Sequence, residues 1–208
     1  MMLRQKFLFV WLLIHVAAGW LNTEQPTSLN ATQTTNYRLP IVFVYTVVPT
    51  VCQHGLPRYI KDTLEQAILT QPDCEVIMVS NYAACHKIEA TVDGIVNLTK
   101  IDNTLMTSER TRMFVNLSSS LFSSDGANEL WTQSALRFFI MEDIMINKGY
   151  TELVHIEADN LIYGRYTTIL DTLRKGYPNL AVTPLTASKF FFTASVLWIG
   201  NLKVLQYE

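Results

Sequence analysis

Glu157 and Asp159 stand two residues apart in "VHIEADNLIY", at the end of an apolar run in a chain that is only 16% charged. Two hard oxygen donors at this spacing suit Mg2+ or Mn2+, ions that keep open positions for phosphate oxygens. Residues i and i+2 of an extended segment point the same way, so both carboxylates would face one ligand. A divalent ion held there would act as a Lewis acid and neutralise a leaving diphosphate. The competing account is solvation of a strand end, because acid-x-acid triplets are common. Position weighs for the metal: in open α/β sheets, ligands bind beyond the carboxyl ends of the strands.

The elements that must position this pair are legible from the apolar pattern. "LPIVFVYTVV" is β-branched and apolar from Ile41 to Val48, as suits a strand covered on both faces. Ile60, Leu64, Ala67 and Ile68 share one helical face, with Pro57 near the first turn. "EVIMVSN" is a second buried strand, from Glu75 to about Ser80, and strand–helix–strand implies a parallel crossover. From Tyr82 to Asn128 the pattern is weak: "VDGIVNLT" suggests a short strand and "SLFSSDGANE" a loop. Trp131, Ala135, Phe138 and Met145 mark one helical face, and Leu136, Ile140 and Ile144 another. A helix apolar on two faces is largely buried, and Gly149 closes it. "TELVHIEAD" is a third strand, and Asp159 falls just past its end. A helix through Ile169, Leu170 and Leu173 follows, then short strands in "NLAVTPL" and "SVLWIG". The class expected is α/β: a Rossmann-like, mostly parallel sheet flanked by helices.

Arg137 lies in "SALRFFIM", where a guanidinium needs an anionic partner or a route to water. His155 lies inside the third strand and is expected to be a core or sheet-face residue. His54 and His86 have no partner at zinc spacing.

The bulk numbers bound the function. The 208 residues suffice for one domain with a real core, and 49% are hydrophobic. A net charge of −2 offers no basic field to a nucleic acid. No internal repeat, Ser-His-Asp set, P-loop or Gly-x-Gly-x-x-Gly suggests another chemistry. Residues 1–20 combine Arg4 and Lys6 with an apolar stretch from Phe7 to Trp20 and small residues at Ala17, Ala18 and Gly19. A cleaved signal peptide and a short signal anchor in the membrane both fit. Residues 21–37 are polar and aperiodic, as a linker or stem would be, and the domain runs over residues 38–208. Sequons at Asn30, Asn97 and Asn116 agree with entry into the secretory pathway. Cys52, Cys74 and Cys85 allow one disulfide with a thiol left over, and the sequence does not choose the pair. Three small buried hydrophobes is the other account.

Three stretches together, "IVFVYTVV…LPRYIKDTLEQAILTQPDCEVIMVSN", "ALRFFIMEDIM…YTELVHIEADNLIYGRY" and "SVLWIGNLKVL", resemble a GT-A-type nucleotide-diphospho-sugar transferase from about Pro40 onward. Such glycosyltransferases carry an acid-x-acid motif after a central strand, often Asp-x-Asp and here Glu-Ala-Asp. The resemblance implies Mn2+ or Mg2+ held by Asp159 directly and by Glu157 through water, unless Glu157 contacts the donor's ribose or sugar. It implies donor contacts from Arg137, from Tyr45 and Thr46 at the end of the first strand, and from Asn81 at the end of the second. The expected activity is sugar transfer from a nucleotide-sugar donor to a hydroxyl of a glycan, protein or lipid acceptor, in the Golgi or ER lumen or after secretion. A non-catalytic, secreted or membrane-tethered binding protein is the alternative, and a metal-dependent hydrolase of a nucleotide sugar the third. The chain stops soon after "SVLWIGN", where such transferases continue, so a truncated gene product, a fragment or a compact member with no activity is expected.

Overall fold

The computed structural model describes residues 37–46, 52, 55–105, 107–121, 126–184 and 192–206. The main folded unit is Arg38–Leu205, and the second unit, Met1–Tyr37 with Gln206–Glu208, falls almost wholly outside the described residues. The signal segment, the linker up to residue 36, Asn30 and His54 lie outside them too.

A six-stranded sheet in the order β3-β2-β1-β4-β6-β5 forms the centre. The strands are β1 (Leu39–Val44), β2 (Cys74–Ser80), β3 (Leu98–Asp102), β4 (Leu153–Ile156), β5 (Leu180–Pro184) and β6 (Phe192–Ile199). The helices are α1 (Arg58–Thr70), α2 (His86–Val92), α3 (Glu109–Leu121), α4 (Gly126–Lys148) and α5 (Leu170–Gly176). β1 pairs in parallel with β2 and β4, and β2 with β3. β6 runs antiparallel to β4 and β5, so it alone of the six opposes the common direction. The α/β class with a mostly parallel sheet is what the apolar runs require.

Helices cover both faces, which is why every residue of β1 is buried. Leu39, Ile41 and Phe43 pack with Ile60, Leu64 and Ala67 of α1 and Ile88 and Val92 of α2. Val42 and Val44 face the other way, onto Leu136, Ile140, Met141, Ile144 and Met145 of α4. The alternation extends to β4: Val154 and Ile156 join the first layer and Leu153 the second. Gly149 ends α4 at φ +69°, and Tyr150 donates back to the Met145 carbonyl at 3.0 Å, a left-handed cap that glycine favours.

The structure departs from expectation mainly between residues 82 and 128. α2 and α3 both lie there, and the expected loop "SLFSSDGANE" contributes its ends to α3 and α4. α3 carries no readable apolar face: Thr111 and Ser118 are buried while Met113, Val115 and Leu117 are exposed. Phe114 stacks on Phe139 of α4 at 4.4 Å between ring centroids, and polar ties add to that contact. Asp143 of α4 accepts from the Ser108 amide at 3.2 Å and from the Thr111 hydroxyl at 2.7 Å. Arg110 forks onto both oxygens of Glu142 at 3.1 Å. The first strand also stops at Val44, short of the expected Val48.

Cys52 and Cys85 form the disulfide, with a Cα–Cα distance of 5.4 Å, and Cys74 is the buried thiol left over. Asn97 and Asn116 are exposed, the former in the turn before β3 and the latter on α3. No helix among the described residues is long and apolar enough to cross a membrane.

Candidate functional site

Parallel pairing of β1 with β2 and β4 sends the residues after all three strands out at one edge of the sheet. Thr46 follows β1, Asn81 follows β2, and Glu157 and Asp159 follow β4.

β4 ends at Ile156, and the chain then turns. The Glu157 amide donates to the Ser195 carbonyl at 3.0 Å, which prolongs the pairing with β6 by one residue. The Asn160 amide donates to the Glu157 carbonyl at 3.0 Å and closes a turn through Ala158 and Asp159. Extended geometry therefore does not reach Asp159, and the two acids meet different surroundings. Glu157 is part-buried and receives the Arg137 guanidinium at 2.5 Å. Asp159 is exposed and lines an open groove with Tyr59, Asp62, Thr63 and Leu161.

Arg137 thus finds the anionic partner that its apolar surroundings demand. Its exposure is 18% and that of Glu157 27%, so both ends of the pair are partly withdrawn from water. Gln133, one turn earlier on α4, accepts a hydrogen bond from the Thr46 hydroxyl. Residues four apart on a helix share a face. One stripe of α4 therefore holds the ends of β1 and β4 in place. Asn81 begins a short 3-10 turn, its carbonyl accepting from the Ala84 amide at 3.1 Å. Tyr45 is half-buried, and burial followed by its neighbour Tyr59 raises its phenol above the ordinary value.

The loop after β4 is fastened to α1 by two glutamine side chains. Gln66 accepts from the Ile162 amide at 3.0 Å and donates to the Ile162 carbonyl. Gln71 donates to the Gly164 carbonyl at 2.7 Å and accepts from the Tyr166 amide at 3.0 Å. Each amide supplies a donor and an acceptor, so each clamps the backbone at two points. Ile162 is buried beneath the loop while Leu161 stays half-exposed on the groove side.

His155 is fully buried, its Nδ1 2.9 Å from the Val42 carbonyl and its Nε2 without a partner. It is a core residue, as its place inside the strand suggests. The carbonyl can only accept, so Nδ1 carries a proton, and full burial with no acceptor at Nε2 keeps the ring neutral. Tyr59, Asp62, Thr63, Gln66, Gln71 and Gln133 escape sequence reasoning. Their one signal is that Tyr59, Asp62, Thr63 and Gln66 fall at i, i+3, i+4 and i+7 on α1, a stripe of the kind that is usually solvated.

No family model matches the sequence, and no curated protein matches it either. Solved structures do match. Mouse xyloside xylosyltransferase 1 in its apo form superposes with a TM-score of 0.53 at 11% identity, covering 82% of this chain. The PaToxG glycosyltransferase superposes with a TM-score of 0.53 at 9% identity, covering 95%. The chain spans 69% and 65% of their respective lengths. The fold is therefore that of the GT-A-type glycosyltransferases, with the acid pair just past the end of a central strand.

Proposed function

We propose that this chain is a metal-dependent glycosyltransferase of the secretory pathway, moving a sugar from a nucleotide-sugar donor to an acceptor hydroxyl. The observation that carries the proposal is Asp159. Within a sheet of this fold it is an exposed carboxylate at the ligand-binding edge, bordering an open groove, with no ion pair or hydrogen bond among the described residues.

The donor set fits Mg2+ or Mn2+. These ions are held by one or two carboxylates plus substrate phosphates, not by closed protein cages. Asp159 supplies one carboxylate, and Glu157, held by Arg137, would reach the ion through water. When bound, the ion would supply Lewis-acid stabilisation of the diphosphate leaving group.

The protein's own residues do the positioning. The Arg137 ion pair fixes Glu157, and Gln133 on the same helix face fixes the end of β1 through Thr46. Gln66 and Gln71 hold the loop that follows Asp159 against α1. A site built on such ties meets its ligand with little ordering left to do. The sequons and the apolar first segment support a lumenal location.

Calorimetric titration of nucleoside diphosphates with and without Mn2+ tests the proposal. Wild type should bind with Mn2+, Asp159→Asn should lose most of that affinity, and Glu157→Gln should lose less. Arg137→Met should weaken binding of a nucleotide sugar with the fold kept. Binding indifferent to Mn2+, or an Asp159→Asn protein that titrates like wild type, would overturn it.

A further inference from the structure

We infer that residues 160–163, in the loop after β4, pair edge to edge with an extended polypeptide, so that the acceptor of this transferase is a protein. The inference rests on the transferase proposal and names the class of its acceptor.

Residues 160–163 have the geometry of a strand that lacks a neighbour on one side. They contain no turn and no bend. Ile162 is buried while Leu161 and Tyr163 are exposed, the alternation of an extended chain. Ile162 turns both its amide and its carbonyl to one partner, the Gln66 side chain of α1, as a residue in a ladder does. Two residues on, the Gly164 carbonyl accepts from Gln71 at the end of that helix at 2.7 Å. The glutamines thus stand where a neighbouring strand would be. Backbone groups of adjacent residues in an extended chain point to opposite sides. The amides and carbonyls of Leu161 and Tyr163 therefore point away from α1, and none of the four has a hydrogen bond among the described residues.

The two edges of the sheet itself are blunted. β3 ends it on one side and carries the exposed Lys100, and β5 ends it on the other and carries Pro184. A charge or a proline at an edge opposes pairing with another chain. Residues 160–163 contain neither. They offer Tyr163, 86% exposed, and Leu161, 48% exposed, as neighbours for the side chains of an added strand. A glycan or a lipid lacks the two-residue repeat of N–H and C=O groups that would meet this edge. A polypeptide has it, and in strand addition the main chain supplies affinity while alternate side chains supply specificity.

Position connects the edge to the chemistry. Leu161 also lines the groove with Asp159, so a peptide paired here passes the mouth of that groove. A Ser or Thr hydroxyl of the peptide then meets the donor. Its oxygen bonds to the anomeric carbon, and the bond from that carbon to the diphosphate oxygen breaks. The electron pair leaves with the nucleoside diphosphate, and the hydroxyl proton goes to solvent.

The probes are soluble nonapeptides with a central Thr, β-branched or aromatic residues at alternate flanking positions and a Lys at each end. Binding is read by NMR with Mn2+ and a nucleoside diphosphate present, and calorimetric titration of the diphosphate without peptide runs alongside. At least one peptide should bind and slow exchange of the Leu161 and Tyr163 amides about tenfold or more. N-methylation at successive peptide residues should weaken binding about tenfold at alternate positions and little in between, because one edge of the peptide pairs. Tyr163→Pro removes the side chain and the amide proton, whereas Tyr163→Ala removes the side chain alone. The proline variant should bind about fivefold more weakly than the alanine variant, the loss of one backbone hydrogen bond. If the proline variant does not fold, the N-methyl series on wild type decides alone. Failure of every peptide to bind, N-methyl sensitivity without the two-residue period, or equal affinity in two folded Tyr163 variants overturns the inference. Protection of the two amides in the peptide-free protein that grows with its concentration also overturns it, because the edge would then pair with a second copy. If a peptide binds with the alternating pattern but no nucleoside diphosphate binds, the transferase proposal fails and the peptide edge stands.

Discussion

His155 should make this protein lose stability in mild acid. The ring is fully buried, and burial first, then the nearby Arg137 guanidinium, push its imidazole down to about 4. The Val42 carbonyl and Glu157 oppose the shift and are outweighed. Protonation would place a second N–H, on Nε2, where no acceptor stands. An unfolded histidine titrates near about 6.5. Between those two values the unfolded chain binds a proton that the folded chain refuses, so stability rises with pH through the window and is fully present above it. With the folded value at about 4, the group costs about 2 kcal/mol as pH falls from 7.5 to 5. His155→Met keeps the bulk and removes the titration. It gives up the bond to the Val42 carbonyl, worth about 1 kcal/mol. Wild type should therefore be the more stable protein at pH 7.5 by about 1 kcal/mol, and the less stable at pH 5 by a similar margin. Urea denaturation of both proteins at the two pH values, in EDTA, reads the difference directly and cancels the carboxylates common to both. A gap between the two proteins that does not move with pH would refute the buried-neutral assignment of His155.

Three further outcomes are expected. Replacing Cys52 and Cys85 by Ser removes a cross-link over a sequence separation of 33, worth about 4 kcal/mol by loop-closure entropy. Reductant should destabilise wild type by the same amount in a denaturant titration and leave the double variant unchanged. Gln71→Met should cost about 2 kcal/mol, one for each backbone group it abandons at Gly164 and Tyr166, and a loss below 0.5 kcal/mol would mean that water replaces the clamp. In microsomes the chain should gain endoglycosidase-sensitive mass from one or more of Asn30, Asn97 and Asn116, two of which are exposed in the fold. An unshifted, protease-accessible product would remove the lumenal location.

The sequence by itself determined the class of fold, because a strand buried on both faces must be apolar at every position. β1 and β2 advertise themselves in this way, and α1 and α4 follow from the 3.6-residue period of their apolar faces. It also placed His155 in the core and showed that Arg137 needed an anionic partner or a route to water, and only packing chose Glu157 as the partner. Local pattern could not reveal α3, whose single packed aromatic, Phe114, makes no apolar period and whose polar contacts reach across to Asp143 and Glu142 of α4. Nor could it reverse β6, because strand direction depends on which neighbour the chain reaches after the turn. The choice of Cys85 for Cys52 depended on how the segments around α1 and α2 meet. The same limit applies at the acids. Spacing of two implies one shared direction only while the backbone stays extended, and β4 stops at Ile156, one residue before Glu157. The turn gives Glu157 to α4 and Asp159 to α1, and it makes a groove with Tyr59, Asp62 and Thr63, residues about a hundred positions earlier in the chain. Proximity of that range is a property of packing, and only the tertiary structure decided it.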